Sequence, residues 1–249
     1  IYRGVLTGFN DAFIMNNETK QALCEQDPKS AEIIKPILRG KDVKAYEKKW
    51  AKLWGIATFP TLKINIDDYV AVKKHLLTFG KDRIDQVGRK LSNGTKSRKK
   101  TRNKWFETQD QIGYCAEFEK EKIIYPCIMS DKSRFCYDDN KIHPLAPANI
   151  ITGDEIKFLL PVLNSSFVYF LFRKFYMGGG IEGELKTNNL EQLPVPQILA
   201  YEQQPFIELA DKIIQYKEDG KDTILFENQI DQLVYQLYDL TDEEIAVVE

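Results

Sequence analysis

Sixteen consecutive residues, Arg89 to Lys104 (RKLSNGTKSRKKTRNK), carry eight lysines and arginines and no acid, and Trp105-Phe106 follows at once. Such a run reads as a flexible, solvated surface segment leading into an aromatic strand, which constrains where the core can lie on either side of it. Residues 1–199 hold 32 basic side chains against 24 acidic ones, whereas residues 200–249 hold 3 against 13. The net charge of −2 therefore conceals a body at +8 and a tail at −10. Asymmetry between segments points to contact between the basic part and a nucleic acid, because Lys and Arg that neutralise phosphates release condensed counterions. A solvated charged loop satisfies the same observation.

With 43% apolar content over 249 residues the chain can bury a real core, as one large domain or as a domain with an appendage. It opens on Ile rather than Met with no charged-then-apolar leader before Gly4, and a piece of a longer polypeptide is expected. The most apolar stretch, Ile156 to Met177, is interrupted by Pro161, Asn164, Ser165, Arg173 and Lys174, so no simple membrane span is expected. Cys24, Cys115, Cys127 and Cys136 stand singly, which predicts reduced thiols and a cytoplasmic setting. His75 and His143 lie far apart and read as structural or surface residues.

Along the chain, Tyr2 to Asn16 reads as a strand and turn. Asp27-Pro28 looks like a helix start with Ile33, Ile34, Ile37 and Leu38 as the buried stripe, ended by Gly40. Leu62 to Ile66 reads as a short strand, and Tyr69, Val72, Leu76 and Phe79 as one face of a helix, which Ile84, Val87 and Leu91 continue. From Trp105 to Gly153 the pattern changes to short β-type runs, WFETQ, KIIYPCIM, RFCYDD and NIITG. Asp154 to Leu163 is helical, Asn164-Ser165 breaks and recaps it, and FVYFLFRKFY forms an aromatic helix whose stripe reads as core. Beyond Pro194 and Pro196 come acidic helices, with a turn at Gly220 and a capping box at Thr241 and Glu244. The expectation is a mixed α+β fold: a β-rich recognition domain with flanking helices over residues 1–196, and an acidic helical segment over 197–249.

Catalytic signatures are weak. Gly178, Gly180 and Gly183 satisfy G-x-G-x-x-G, yet they follow a helix with no βαβ unit around them and read as a glycine loop. Glu184 and Lys186 resemble half of a nuclease metal site without a placed partner aspartate. The Asn/Asp-Pro-Pro-aromatic tetrapeptide, with which amino-methyltransferases hold a flipped base, is absent. Recognition remains. Arg98, Lys99, Lys100, Arg102 and Lys104 are candidates for phosphate contact. Arg134, Asn140 and Lys141 on a turn between strands, and Lys186, Thr187, Asn188 and Asn189 after the glycine loop, are candidates for base edges. For each set a solvated loop is the plainer reading, because surface loops are polar whatever they do.

Several phrases taken together resemble a known family. IYRGVLTGFNDAFIMN, EIIKPILRGKDVKAY, WFETQ, KIIYPCIM, NIITG, the Leu163-Asn164-Ser165 turn, NNLEQLPVP and QIDQLVYQLYDLTDEEI are similar to the C-terminal target-recognition region of TaqI-like adenine methyltransferases and single-chain type IIG restriction–modification enzymes. The resemblance implies a non-catalytic domain that clamps a double-stranded DNA site. It also implies upstream domains of the same polypeptide: a methyltransferase acting on adenine N6 with S-adenosylmethionine, and a nuclease needing Mg²⁺. No cofactor is expected in these residues. The closing Pro-x-Pro and helices are also similar to type I specificity subunits, so half of such a subunit is the alternative. Beside it stand a protein-interaction module and a compact nuclease built on Glu184 and Lys186.

Overall fold

Two four-stranded sheets meet near the beginning of the chain, in a computed structural model that describes residues 1–178 and 181–249. The strands are β1 (Tyr2–Arg3), β2 (Ile14–Met15), β3 (Ile34–Arg39), β4 (Val43–Lys44), β5 (Glu47–Lys48), β6 (Leu53–Ile56), β7 (Lys122–Pro126), β8 (Cys136–Asp138), β9 (His143–Leu145) and β10 (Ala148–Ile151). One sheet is antiparallel in the order β1-β10-β7-β8. The other runs β2-β6-β3-β9 and is antiparallel except where β3 meets β9. The sheets join where Gly4 N donates to Ala148 O at 2.8 Å and Val5 N to Pro144 O at 2.7 Å. A Cβ at Gly4 would lie 2.5 Å from Pro144 O, so only glycine lets the strands approach this closely.

Helices cover the sheets. The first group is α1 (Asn10–Phe13), α2 (Asn17–Gln26), α3 (Val70–Thr78) and α4 (Lys81–Ile84). It packs Leu23, Val72, Leu76 and Ile84 against Ile34 and Ile56 of the second sheet. The other group is α5 (Ile156–Asn164), α6 (Ser166–Leu171), α7 (Thr187–Leu190), α8 (Ala200–Glu218), α9 (Ile224–Leu237) and α10 (Asp242–Val248). Here Ile123 and Tyr125 of β7 share a core with Phe158, Val162 and Phe172, and that core continues into Phe206, Ile213, Ile230 and Val234. Phe158 and Phe206 meet edge to face at 5.2 Å. The sequence signals in this part hold. Ser165 recaps the chain by accepting from Val168 N, and the Thr241–Glu244 capping box starts α10. Among the described residues no single helix is long and apolar enough to cross a membrane.

Other expectations are corrected. Residues 28–38 are not a helix: a 3-10 turn at Pro28–Glu32 leads into β3. Ile33, Ile34, Ile37 and Leu38 are buried as predicted, but Ile33 closes the 3-10 turn and the other three lie on a strand, where β-branched residues pack well. Leu62 to Ile66 is no strand, lying between two 3-10 turns at Pro60–Leu62 and Ile66–Asp68. The helix through Leu76 ends, and α4 stops at Ile84, leaving Val87 exposed. WFETQ forms turns, because side chains rather than a neighbouring strand take its carbonyls. The aromatic helix turns π-helical over Phe172–Tyr176; Val168 and Phe172 are core as expected, whereas Phe175 is 72% exposed.

Candidate nucleic-acid interface

The basic segment is built around one buried arginine. Arg98 is 2% exposed, so it does not stand among the surface cations. Its Nε donates to Ile84 O at 2.6 Å, Nη1 to Thr7 O at 2.7 Å and Glu107 O at 2.8 Å, and Nη2 to Trp105 O at 2.6 Å. Its guanidinium lies 4.8 Å from the centre of the Phe13 ring. Burial pulls its pKa down to about 10, against the nearby Asp85 and Glu107 carboxylates. Gln86 finishes the frame by donating to Lys104 O and Glu107 O. The sequence reads Arg98 as a phosphate ligand because charge pattern cannot show that carbonyls of three separate segments converge on it.

That anchor makes the expected flexible segment an ordered one. Ser97 N donates to Arg89 O and Leu91 N to Thr95 O, so residues 89–97 fold as a small hairpin turning at Asn93-Gly94. Arg89 pairs with Asp82 and Arg83 stacks 4.0 Å over Phe9. Lys99, Lys100, Arg102 and Lys104 are exposed, and among the described residues none has an acidic partner within ion-pair distance, nor do Lys90 and Lys96 on the hairpin arms. The hairpin edge bounds an open groove of about 460 Å³ against Phe79 and Arg83. Unpaired, solvated cations held on an ordered backbone can track a polyanion at little cost in chain ordering.

The first set of base-reading candidates is divided. Arg134 precedes β8, pairs with Asp131 and donates its backbone N–H to Met129 Sδ at 3.2 Å. Asn140 and Lys141 lie beyond the other end of β8. Lys141 has φ 55° and stands 3.9 Å from Glu119. Arg134 instead shares its end of the sheet with the second set. Met129 N donates to Gly183 O at 2.9 Å and Leu185 N to Cys127 O at 2.7 Å, which brings the glycine-loop exit beside the β7–β8 connection. Lys186 and Asn188 are exposed and Thr187 half-buried at the start of α7, while Asn189 donates to Tyr176 O. Of the glycine pattern, Gly178 and Gly183 are described and Gly180 lies outside the described residues.

A groove of about 290 Å³ at this same end is lined by Ser130, Tyr169, Arg173 and Glu182. Arg173 is an additional candidate for base contact, hidden in the sequence inside an aromatic run that reads as core. Glu184 forms a backbone bridge with Ile128. Among the described residues no group of three His, Cys, Asp or Glu side chains is placed to hold a metal.

Comparison with known proteins fits these features to a family. No curated protein matches the chain. The solved structure of the type IIL restriction–modification enzyme MmeI in complex with DNA superposes with a TM-score of 0.64 at 14% identity, covering 98% of this chain and 33% of that one. The type IIG restriction endonuclease BpuSI gives 0.51 at 15% identity, covering 95% and 30%. At these identities the likeness is one of fold, and the chain spans about a third of the length of either enzyme. A family model of the TaqI-like C-terminal specificity domain matches residues 35–195, from β3 through the glycine loop to the Pro-x-Pro segment, and the chain belongs to that family.

Proposed function

We propose that this domain recognises a specific double-stranded DNA site and positions upstream methyltransferase and nuclease domains of its own polypeptide on it. The observation that carries the reading is the Arg98-anchored segment, which holds Lys99, Lys100, Arg102 and Lys104 unpaired in solvent on a fold shared with an enzyme solved on DNA. Phosphate contacts there fix register, and the cluster of Arg134, Arg173, Lys186 and Asn188 supplies donors for base edges. Asn140 and Lys141 form a separate second contact. The upstream domains would use S-adenosylmethionine for adenine methylation and Mg²⁺ for cleavage in a cytoplasmic setting, with chemistry outside this chain. The packing of α8 and α9 on α5 of the same chain favours this single-chain arrangement over half of a type I specificity subunit.

The test is fluorescence anisotropy with a mixed duplex pool across a salt series, comparing the natural chain with a variant in which Lys99, Lys100, Arg102 and Lys104 are replaced by Gln. Arg98 is kept, because it holds the segment together. Each lost phosphate contact should reduce the slope of log affinity against log salt by about 0.9, so a change of roughly 3 to 4 is expected. Unchanged affinity and slope would refute the phosphate contact.

A further inference from the structure

A cavity of about 140 Å³ lies where the recognition body meets α9, enclosed by the β4–β5 turn, the loop before β8, the break between α5 and α6, and α9 itself. Three side chains on its wall, Tyr46, Ser133 and Tyr169, have buried hydroxyls with no hydrogen-bond partner among the described residues. Tyr46 and Ser133 are only 5% and 2% exposed. Buried polar atoms are nearly always satisfied, so three such oxygens around one space indicate what it is shaped to hold.

Charge selects among the possible occupants. Glu227 and Asp231 of α9 line the same cavity. Glu227 is balanced by Lys217 at 2.8 Å, whereas Asp231 has no cation within ion-pair distance among the described residues. Burial is the main reason that the Tyr46 hydroxyl lies far above its ordinary pKa, and the Glu227 and Asp231 charges of α9 act on it in the same direction. Lys132 stands exposed at the rim. An anion is disfavoured, because Asp231 already takes the anionic position beside Ser166, accepting from its N at 2.7 Å and its Oγ at 2.8 Å. A divalent ion would demand several carboxylates, and one uncompensated carboxylate with three neutral oxygens matches a single hard charge.

We propose that this cavity binds one monovalent cation of potassium or ammonium size, held by the hydroxyl oxygens of Tyr46, Ser133 and Tyr169 and balanced by Asp231. The ion ties α9 to the loop that carries Lys132 to Arg134, so it sets how firmly the helical segment braces the face bearing the base-reading candidates. This site does not depend on the DNA-recognition reading.

The experiment is thermal unfolding of the whole chain in potassium, ammonium, sodium and choline chloride at matched ionic strength. Potassium or ammonium should raise the midpoint saturably over choline, by about 3 °C at ten times the dissociation constant. Tyr46→Phe and Ser133→Ala, which keep the packing, should each remove most of that rise. A crystal soaked in thallium(I) should show an anomalous peak among Tyr46, Ser133 and Asp231. Equal midpoints in potassium, ammonium and choline, a rise that survives both substitutions, or a peak-free cavity filled only by water would overturn the site.

Discussion

Lys122 Nζ lies 2.8 Å from Asp138 Oδ2, with both side chains completely buried between paired positions of β7 and β8. The ammonium also donates to Phe118 O and Lys120 O, and the carboxylate accepts from Ile142 N and stands 3.4 Å from Lys48 Nζ. Such a pair specifies the hairpin register more than it adds stability, since removing one partner strands the other charge in the core. Lys122→Met should lower the unfolding free energy by about 3–5 kcal/mol. Lys122→Met combined with Asp138→Leu should lower it less, and urea denaturation of the two variants checks the order.

Arg98 holds the basic segment from inside. Arg98→Lys keeps the charge but cannot reach the carbonyls of Thr7, Ile84, Trp105 and Glu107 together. A loss of roughly 4 kcal/mol is expected from unsatisfied buried carbonyls. Hydrogen exchange should then quicken across residues 88–101, where backbone bonds now close the hairpin. Unaltered protection there would show that the segment is ordered without the anchor.

Arg173 and Arg134 should act on discrimination rather than on overall charge attraction. Replacing either by Ala is expected to narrow the affinity gap between target and unrelated duplex by about 1–3 kcal/mol for each base pair that it reads. Both are single cations, so the salt slope should change by no more than about 1. Competition binding against a duplex selected from the pool measures the gap.

His143 should make the domain acid-sensitive. It packs between Phe118, whose tilted ring is centred 4.8 Å away, and Phe59, stacked at 6.1 Å, and burial brings its pKa down to about 4. The unfolded chain, with an ordinary pKa near 6.5, binds the proton first as pH falls, so stability present above about pH 6.5 is lost between there and about pH 4. The full shift corresponds to about 3 kcal/mol. His143→Phe should flatten this part of the pH dependence, as read from urea midpoints at pH 7 and pH 4.5.

What could be read directly from the sequence is what local chemistry decides. The apolar spacing of Phe206 to Ile213 and Ile230 to Leu237, the cap at Ser165 and the capping box at Thr241 each involve partners within a few residues, and the structure has all of them. The family phrases likewise sit at the sheet junction, the α5–α6 break and the closing helices. Tertiary structure decided the rest. Ile34 to Leu38 became strand because Leu53–Ile56 and His143–Leu145 pair with it from far along the chain, and no local pattern contains those partners. WFETQ lost its strand because Arg98, Gln86 and Thr58 reach its carbonyls first. Arg98 left the surface for the same reason, since a charge is buried only where remote acceptors converge on it. The hydroxyls of Tyr46, Ser133 and Tyr169 came together through the packing of four separate elements, which residue type and spacing cannot express.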